Sequence, residues 1–593
     1  MEYYIKEDFY FDIDHHRQLR ITGPENHLLL GTAISRKTDL KIESYEIESG
    51  QLVLTLSSPS PSVILSSPLV TDIRTLRNFV ESKIPRPTYR ELLRKHIAEV
   101  FPKITETEKT PDGVVLRFAN RYKDTRNTEQ IYGAQFEIPH AYTLHHRRKQ
   151  IIIAGTPPIR FQIRTISSIA IEDKYKYPLF QPSKALSAEI FPPHMIEAYN
   201  QAEEQITHLV RAKKTSSFEY GTIFPRDWIE SACLGYGDLD PLTIDYMINQ
   251  SMKNISESGE GWHEEIVGEY RTKTKQEIHV DRKMIDIEPL YIMGLEYVTK
   301  QFLFKEENVQ KLRAIAQYIL HNARENHLIT FKKTSKGTSE FHLIGNWRDS
   351  KEAFPYQKSP LAPYDVNCIF YPESLRIIRK YHILFDIKNV EELDNLIIKW
   401  SRNKDKYRLY HPNDIIGYSL ALHSTKNLPL PISHLDEAYD LFFNAPSLEE
   451  IESFAQKLTD PDYFYTPAGP LLVAADTEGL TEKNYHGKVI WPKQAAFAVA
   501  GLSRQYRIGI REGWRGPFLY TIADAIAKTC QACFTGWTQL GSIPELYYFD
   551  QKKRRARLYT DQKNIEGQMS IIQLWSAVGA RRIIREYEYI MNQ

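Results

Sequence analysis

The sequence predicts a multidomain chain: an N-terminal antiparallel β-sandwich over residues 1–185, then an all-α domain over 186–593. Three observations carry this. Apolar and polar residues alternate in the first third, the apolar spacing changes to that of a helix near residue 193, and no strands alternate with the helices beyond it.

In "PIRFQIRTI", Ile159, Phe161 and Ile163 alternate with Arg160, Gln162 and Arg164, giving an extended strand one apolar and one charged face. "QLVLTLSSPSPSVIL" is a β-rich run broken by a Ser/Pro turn cluster, and "RELLRKHIAEVF" predicts one helical interruption. In "FPPHMIEAYNQAEEQITHLVRAKK", Met195, Ala198, Ala202, Ile206 and Leu209 form one helical stripe. Val309, Leu312, Ala316 and Ile319 do the same in "ENVQKLRAIAQYILHNARE". Further helices are predicted near 240–256, 284–303, 368–382, 390–402, 413–423, 433–442, 447–458, 492–507, 515–534 and 568–588. A helical solenoid would repeat every ~34 to 47 residues, and no such period is present. What recurs is loops with Trp beside carboxylates.

Basic and acidic side chains number 76 and 75, so no global field favours nucleic acid or an anionic membrane. The basic runs "LHHRRKQ" and "DQKKRRARLY" read as solvated segments. Cys530 and Cys533 lie in a helical pattern with no second pair to complete a metal site, and read as buried thiols. "MEYYIKEDFYFDID" has acidic residues where a signal peptide needs basic ones, and no long apolar run appears, so a cytoplasmic protein is expected. There is no P-loop, dinucleotide fingerprint or G-x-S-x-G elbow, and "WHEEIVGEY" has Val267 where a zinc protease needs its second His. No cofactor or metal is expected.

Four loops hold the remaining chemistry. "GTIFPRDWIES" joins Arg226, Asp227 and Trp228; "SGEGWHEEIVGEYR" joins Trp262, His263, Glu264 and Glu265; "GNWRDS" supplies Trp347 and Asp349; "TGWTQLGSIPELYYFD" supplies Trp537 and Glu545. Trp faces pack on the C–H side of a pyranose while carboxylates and Arg bond its hydroxyls. Cleaving a glycosidic bond takes two carboxyl groups, one to protonate the leaving oxygen and one to activate water. Asp349 before Ser350, Lys351 and Glu352 also reads as a helix N-cap.

The order of these motifs resembles the amylo-α-1,6-glucosidase module of glycogen-debranching enzymes and, more loosely, the glucoamylase-like six-hairpin glycosidases. The residues carrying it are "FPRDW", His263 with Glu264, "DRKMIDIEPLYI", Trp347 with Asp349, "YDVNCIFY", "KVIWPKQ", Pro544 with Glu545, and Gln573, Trp575 and Ser576. The resemblance implies an (α/α)6 barrel and an inverting glycoside hydrolase that removes terminal α-linked glucosyl residues from oligosaccharides or branch stubs. It implies Asp349 as general acid and Glu545 as general base. Arg226, Asp227, His263, Glu264, Asp286, Trp347, Asn367 and Trp491 would bind the sugar. The alternatives are a hydrolase of a small α-glycoside such as trehalose or a glucosylglycerate-like compound, or a carbohydrate-binding protein without turnover. Glu264 or Glu265 is the alternative acid. Trp347 and Phe354 are expected to raise the pKa of Asp349 by burial. The chain departs from the debranching pattern at Arg348, Glu288 and Lys493, and Arg348 would lower the acid's pKa unless it points away.

Overall fold

The computed structural model describes residues 3–6, 9–13, 17–23, 29–66, 68–71, 106–123, 129–147, 150–167, 178–181, 186–216, 222–265, 282, 284–334, 342–349, 360–412, 415–562 and 569–593. The predicted helix at "RELLRKHIAEVF" lies outside them. The chain divides into two units. One comprises Met1–Lys176, His208–Thr222 and Glu265–His279; the other comprises Tyr177–Thr207, Ile223–Glu264 and Val280–Gln593.

Alternation in the first unit becomes antiparallel sheet. A six-stranded sheet runs in the spatial order Lys41–Glu48, Gln51–Ser58, Ile159–Ser167, Glu129–Pro139, Gly113–Lys123, Glu106–Lys109. A five-stranded sheet runs Tyr3–Lys6, Phe9–Ile13, Gln18–Thr22, Leu29–Ala33, Leu69–Thr71. Ile159, Phe161 and Ile163 do point inward, into a core shared with Phe11, Ile21, Leu54, Phe118 and Phe136. One apolar core therefore serves both sheets.

The second unit is mainly helical. Among the described residues, its α-helices longer than four residues are α1 (Pro193–Arg211, with its last turn in the first unit), α2 (Pro225–Leu234), α3 (Pro241–Ser251), α4 (Ile287–Gly294), α5 (Glu306–Glu325), α6 (Tyr371–Lys380), α7 (Val390–Ser401), α8 (Ala438–Phe443), α9 (Leu448–Thr459), α10 (Pro492–Glu512), α11 (Gly516–Leu540) and α12 (Leu574–Met591). Helix α5 buries Val309, Leu312, Ala316 and Ile319, the stripe expected from its spacing. A π-helical turn, Asp365–Phe370, leads into α6. Over the described residues 415–423, the helix predicted at 413–423 is absent. Ile416–Tyr418 pairs with Arg408–Tyr410, and Ala421–His423 pairs with Leu361–Pro363. Gly417 and the β-branched pair Ile415–Ile416 are poor helix formers, and strand partners were available.

Six helical segments pack in a closed circuit: α2 against α4, α4 against α6, the π turn before α6 against α8, α8 against α10, α10 against α12, and α12 against α2. Helix α3 lies on α2, α5 on α4, α7 on α6, and α11 on both α10 and α12. Pro225 and Pro492 open their helices in the first turn, where a missing N–H costs nothing. Helices α3, α7 and α9 are capped by the side chains of Asp240, Asn389 and Ser447. Helices α2, α4, α10 and α12 begin without a side-chain cap. Among the described residues no helix is long and apolar enough to cross a membrane. Cys530 and Cys533 are buried free thiols on α11.

Candidate active site

The first turns of the circuit helices meet one another. Arg226 of α2 lies 2.9 Å, through Nε, from Oδ2 of Asp286, the residue that precedes α4. Gln573, which precedes α12, donates from Nε2 to Asp227 Oδ2 at 3.2 Å. Gln494 of α10 donates to Asp436, just before α8. With the bond from Lys493 of α10 to Glu230 of α2, these links bring the N-terminal parts of α2, α4, α8, α10 and α12 together, where the backbone dipoles favour negative charge.

The carboxyls gathered there are not alike. Burial pushes Asp227 up to about 7 and Asp286 up to about 6, although Arg226 draws both downward. Burial against Asp436 pushes Asp365 up to about 8. Asp436 is held well below the usual carboxylate range: burial raises it, and the Arg348 charge and His434 more than offset that.

Asp349 is the partly open member, with about a third of its side chain (32%) exposed. His263 Nε2 lies 3.5 Å from its Oδ2. Burial pushes Asp349 up, but His263 and the Arg226 charge outweigh it and hold the carboxyl well below its ordinary range. This corrects the expectation of a raised pKa. Apolar neighbours in sequence mattered less than the His263 hydrogen bond and the Arg226 charge brought from elsewhere, and Phe354 lies outside the described residues. Residues 350–359 do as well, so the N-cap reading of Asp349 lies outside them too.

Arg348 points away from Asp349. Its Nε and Nη2 bond Asp436 at 2.7 and 3.1 Å, its Nη1 donates to the carbonyl of His486 at 3.2 Å, and Nη2 also reaches the carbonyl of Leu472 at 3.3 Å. The other two departures are also internal ties. Glu288 accepts the Gly261 N–H at 2.9 Å, fixing the segment that carries His263. Lys493 is fully buried, bonds Glu230 at 2.8 Å and Tyr439 at 3.0 Å, and lies 3.9 Å from the Trp347 ring centre and 4.3 Å from that of Trp575.

Glu545 is buried and accepts a hydrogen bond on each carboxyl oxygen. The Tyr485 hydroxyl donates to Oε1 at 2.7 Å and the Ser570 N–H to Oε2 at 2.8 Å. A two-way backbone bridge between Ile490 and Tyr547 ties this segment to the one that enters α10. Tyr485 packs edge-on against Trp491 at 5.1 Å, and Trp491 against Trp347 at 5.5 Å and Trp575 at 5.8 Å. His486 stacks on Trp491 at 5.4 Å, and burial lowers it to about 3, so it is neutral. One aromatic chain thus runs from the Asp349 segment to Glu545.

Of the sequence-predicted residues, Arg226, Asp227, His263, Asp286, Trp347, Asp349, Trp491 and Glu545 are joined by these contacts. Glu264 is buried beside His263. Asn367 differs: its Nδ2 donates to the carbonyls of Ile329 and Pro363, and its Oδ1 accepts the Ile329 N–H, so it braces backbone. Reasoning from sequence missed Glu230, Asp365, Asp436, Tyr485 and His486. Glu230 was findable, being one helical turn beyond Arg226 on the same face; the others carried no local signal.

The protein supplies no hydrogen-bond partner to several buried atoms here: Arg226 Nη2, Asp286 Oδ1, Trp347 Nε1, Trp575 Nε1 and Gln573 Oε1. Buried polar atoms are nearly always satisfied, so donors and acceptors held ready beside indole rings suit a ligand with hydroxyls on several sides. Among the described residues no group of three or more His, Cys, Asp or Glu could hold a metal ion. A separate groove of about 370 Å³, lined by Phe191, Met195, Phe534 and Tyr587, has none of these carboxyls.

No family model matches the chain. No curated protein matches it either. Among solved structures it is similar to a GH63 mannosylglycerate hydrolase from Thermus thermophilus in complex with Tris, at 10% identity and a TM-score of 0.42, over 65% of this chain and 99% of that one. It is also similar to a GH78 rhamnosidase of Bacillus sp. GL1, at 10% identity and a TM-score of 0.43, over 84% of this chain and 48% of that one. Likeness at this level carries no argument about reaction or substrate.

Proposed function

We propose that the protein is an inverting glycoside hydrolase of (α/α)6-barrel architecture that removes a terminal α-linked glucosyl residue from an oligosaccharide or branch stub. The reading is carried by one observation: unpartnered buried donors and acceptors lie among indoles packed edge to face, beside a partly open carboxyl, Asp349, and a buried hydrogen-bonded one, Glu545. Arg226, Asp286 and Gln573 bond the outer hydroxyls, and Trp347 and Trp575 cover the apolar face of the ring. Asp349 protonates the glycosidic oxygen as its bond to C1 breaks. Glu545, aimed by Tyr485 and Ser570, takes a proton from the water that attacks C1 from the opposite side.

The test is NMR observation of the first product from a panel of α-glucans and small α-glycosides. A β-configured glucose from an α-linked substrate is expected. A retained α-anomer, or no release from any member, overturns the reading. Glu545→Gln keeps the shape of the acceptor and is expected to cost about 10²- to 10⁴-fold in kcat. Release from trehalose-sized substrates but not from glucans would favour the small-glycoside alternative.

A further inference from the structure

A general acid has to carry a proton when the glycosidic oxygen arrives, yet the charges around Asp349 keep it ionised in the free site. The group placed to resolve this is His263. Its ring is nine-tenths buried, Phe224 meets it edge-on at 5.2 Å, and Nε2 faces Asp349 Oδ2 at 3.5 Å. The charged and titratable groups that act on this pair are Arg226 and Asp227 from α2, Asp286 from the start of α4 and His486 from the segment before α10, and the buried Glu264 adjoins His263 in the chain. Arg226 is held by Asp286 and keeps its charge. His486 is neutral, so it has no imidazolium proton to give up at ordinary pH.

Resting on the reading of Asp349 as the acid, we infer that His263 is its proton carrier. When the sugar fills the site and water leaves, an imidazolium–carboxylate pair loses hydration on both charges, which favours moving the Nε2 proton to Oδ2 and leaving both groups neutral. Asp349 then passes that proton to the leaving oxygen as the C1–O bond breaks. The attacking water gives its oxygen to C1 and one proton to Glu545. Glu545 later releases that proton to solvent and His263 takes one up, so the cycle consumes water alone. His263 acts through Asp349, which makes it a positioning residue with a proton to hand on.

The experiment compares an alkyl α-glucoside, whose leaving group needs a proton, with α-glucosyl fluoride, whose leaving group needs little. Asp349→Asn is expected to lose about 10²- to 10⁴-fold on the alkyl substrate and far less on the fluoride. His263→Ala is expected to show the same split at about 10- to 100-fold, with added imidazole restoring the alkyl rate. His263→Gln should show the split without rescue. If Asp349→Asn splits the two substrates but the His263 variants slow both equally and imidazole restores nothing, His263 only binds sugar or supports the fold, and the inference is overturned. If Asp349→Asn shows no split, the acid assignment itself fails and takes the inference with it.

Discussion

The Arg348 guanidinium bonds Asp436 through two nitrogens, at 2.7 and 3.1 Å, in a fully buried pair that joins the segment carrying Asp349 to the start of α8. A third nitrogen holds the carbonyl of His486, whose chain neighbour Tyr485 bonds Glu545. One side chain therefore spans the supports of both proposed carboxyls. Arg348→Met leaves Asp436 buried without its cation, with only Gln494 and His434 beside it, and is expected to lower stability by about 3–5 kcal/mol in urea unfolding. It should also reduce kcat more than it raises KM. Unchanged stability would mean the pair is not buried as described.

Lys493 and Glu230 form a second buried pair, flanked by Trp347 and Trp575. Lys493→Met alone is expected to cost about 3–5 kcal/mol, because it strands Glu230. Adding Glu230→Gln should recover much of that loss. A double mutant whose loss equals the sum of the single losses would show that the two groups do not interact.

Tyr485→Phe deletes the hydroxyl that aims Glu545 and keeps the ring packed on Trp491. About a tenfold fall in kcat with KM little changed is expected, since only the orientation of the base is relaxed. A change confined to KM would assign Tyr485 to sugar binding instead.

Asp227 sets a pH dependence with a definite sign. Burial raises its folded pKa to about 7, above the ordinary carboxylate value, so the folded state holds the proton more tightly than the unfolded chain. This stabilisation is complete below about pH 4 and is lost as pH rises through about 7. Asp349, held low, has the opposite sign: its contribution is present above about pH 4 and lost as pH falls through its depressed value. Asp227→Asn removes the first effect only. Measured by urea unfolding, its stability relative to wild type is expected to improve between about pH 4.5 and about pH 8. A constant difference would place Asp227 near its ordinary value.

What the sequence made legible was local. The apolar stripe of α5 and the alternation in "PIRFQIRTI" each report the burial of a single element, and both are found as expected. Helix α2 at Pro225–Leu234 is absent from the expected helices, which leave "GTIFPRDWIES" as a loop, although its first-turn proline is a local signal; α10 does begin at Pro492 as expected. Pairings were not legible. Arg348 and Asp436 stand 88 residues apart, and Glu230 and Lys493 stand 263 apart, so no window of sequence contains either tie. The direction of the Asp349 shift was missed for the same reason: Trp347 is two residues away, whereas His263 and Arg226 come from other elements.

The bond from Gln573 to Asp227 spans 346 residues. On a ribosome adding roughly 5–20 residues per second, α2 waits about 20–70 s before the partner of its first turn exists. During that interval α2, whose residues are all buried in the finished unit, lacks the neighbour that α12 supplies. The nascent chain therefore carries its sticky flank through most of its synthesis, and a chaperone holding that flank would have to let go last where α12 docks.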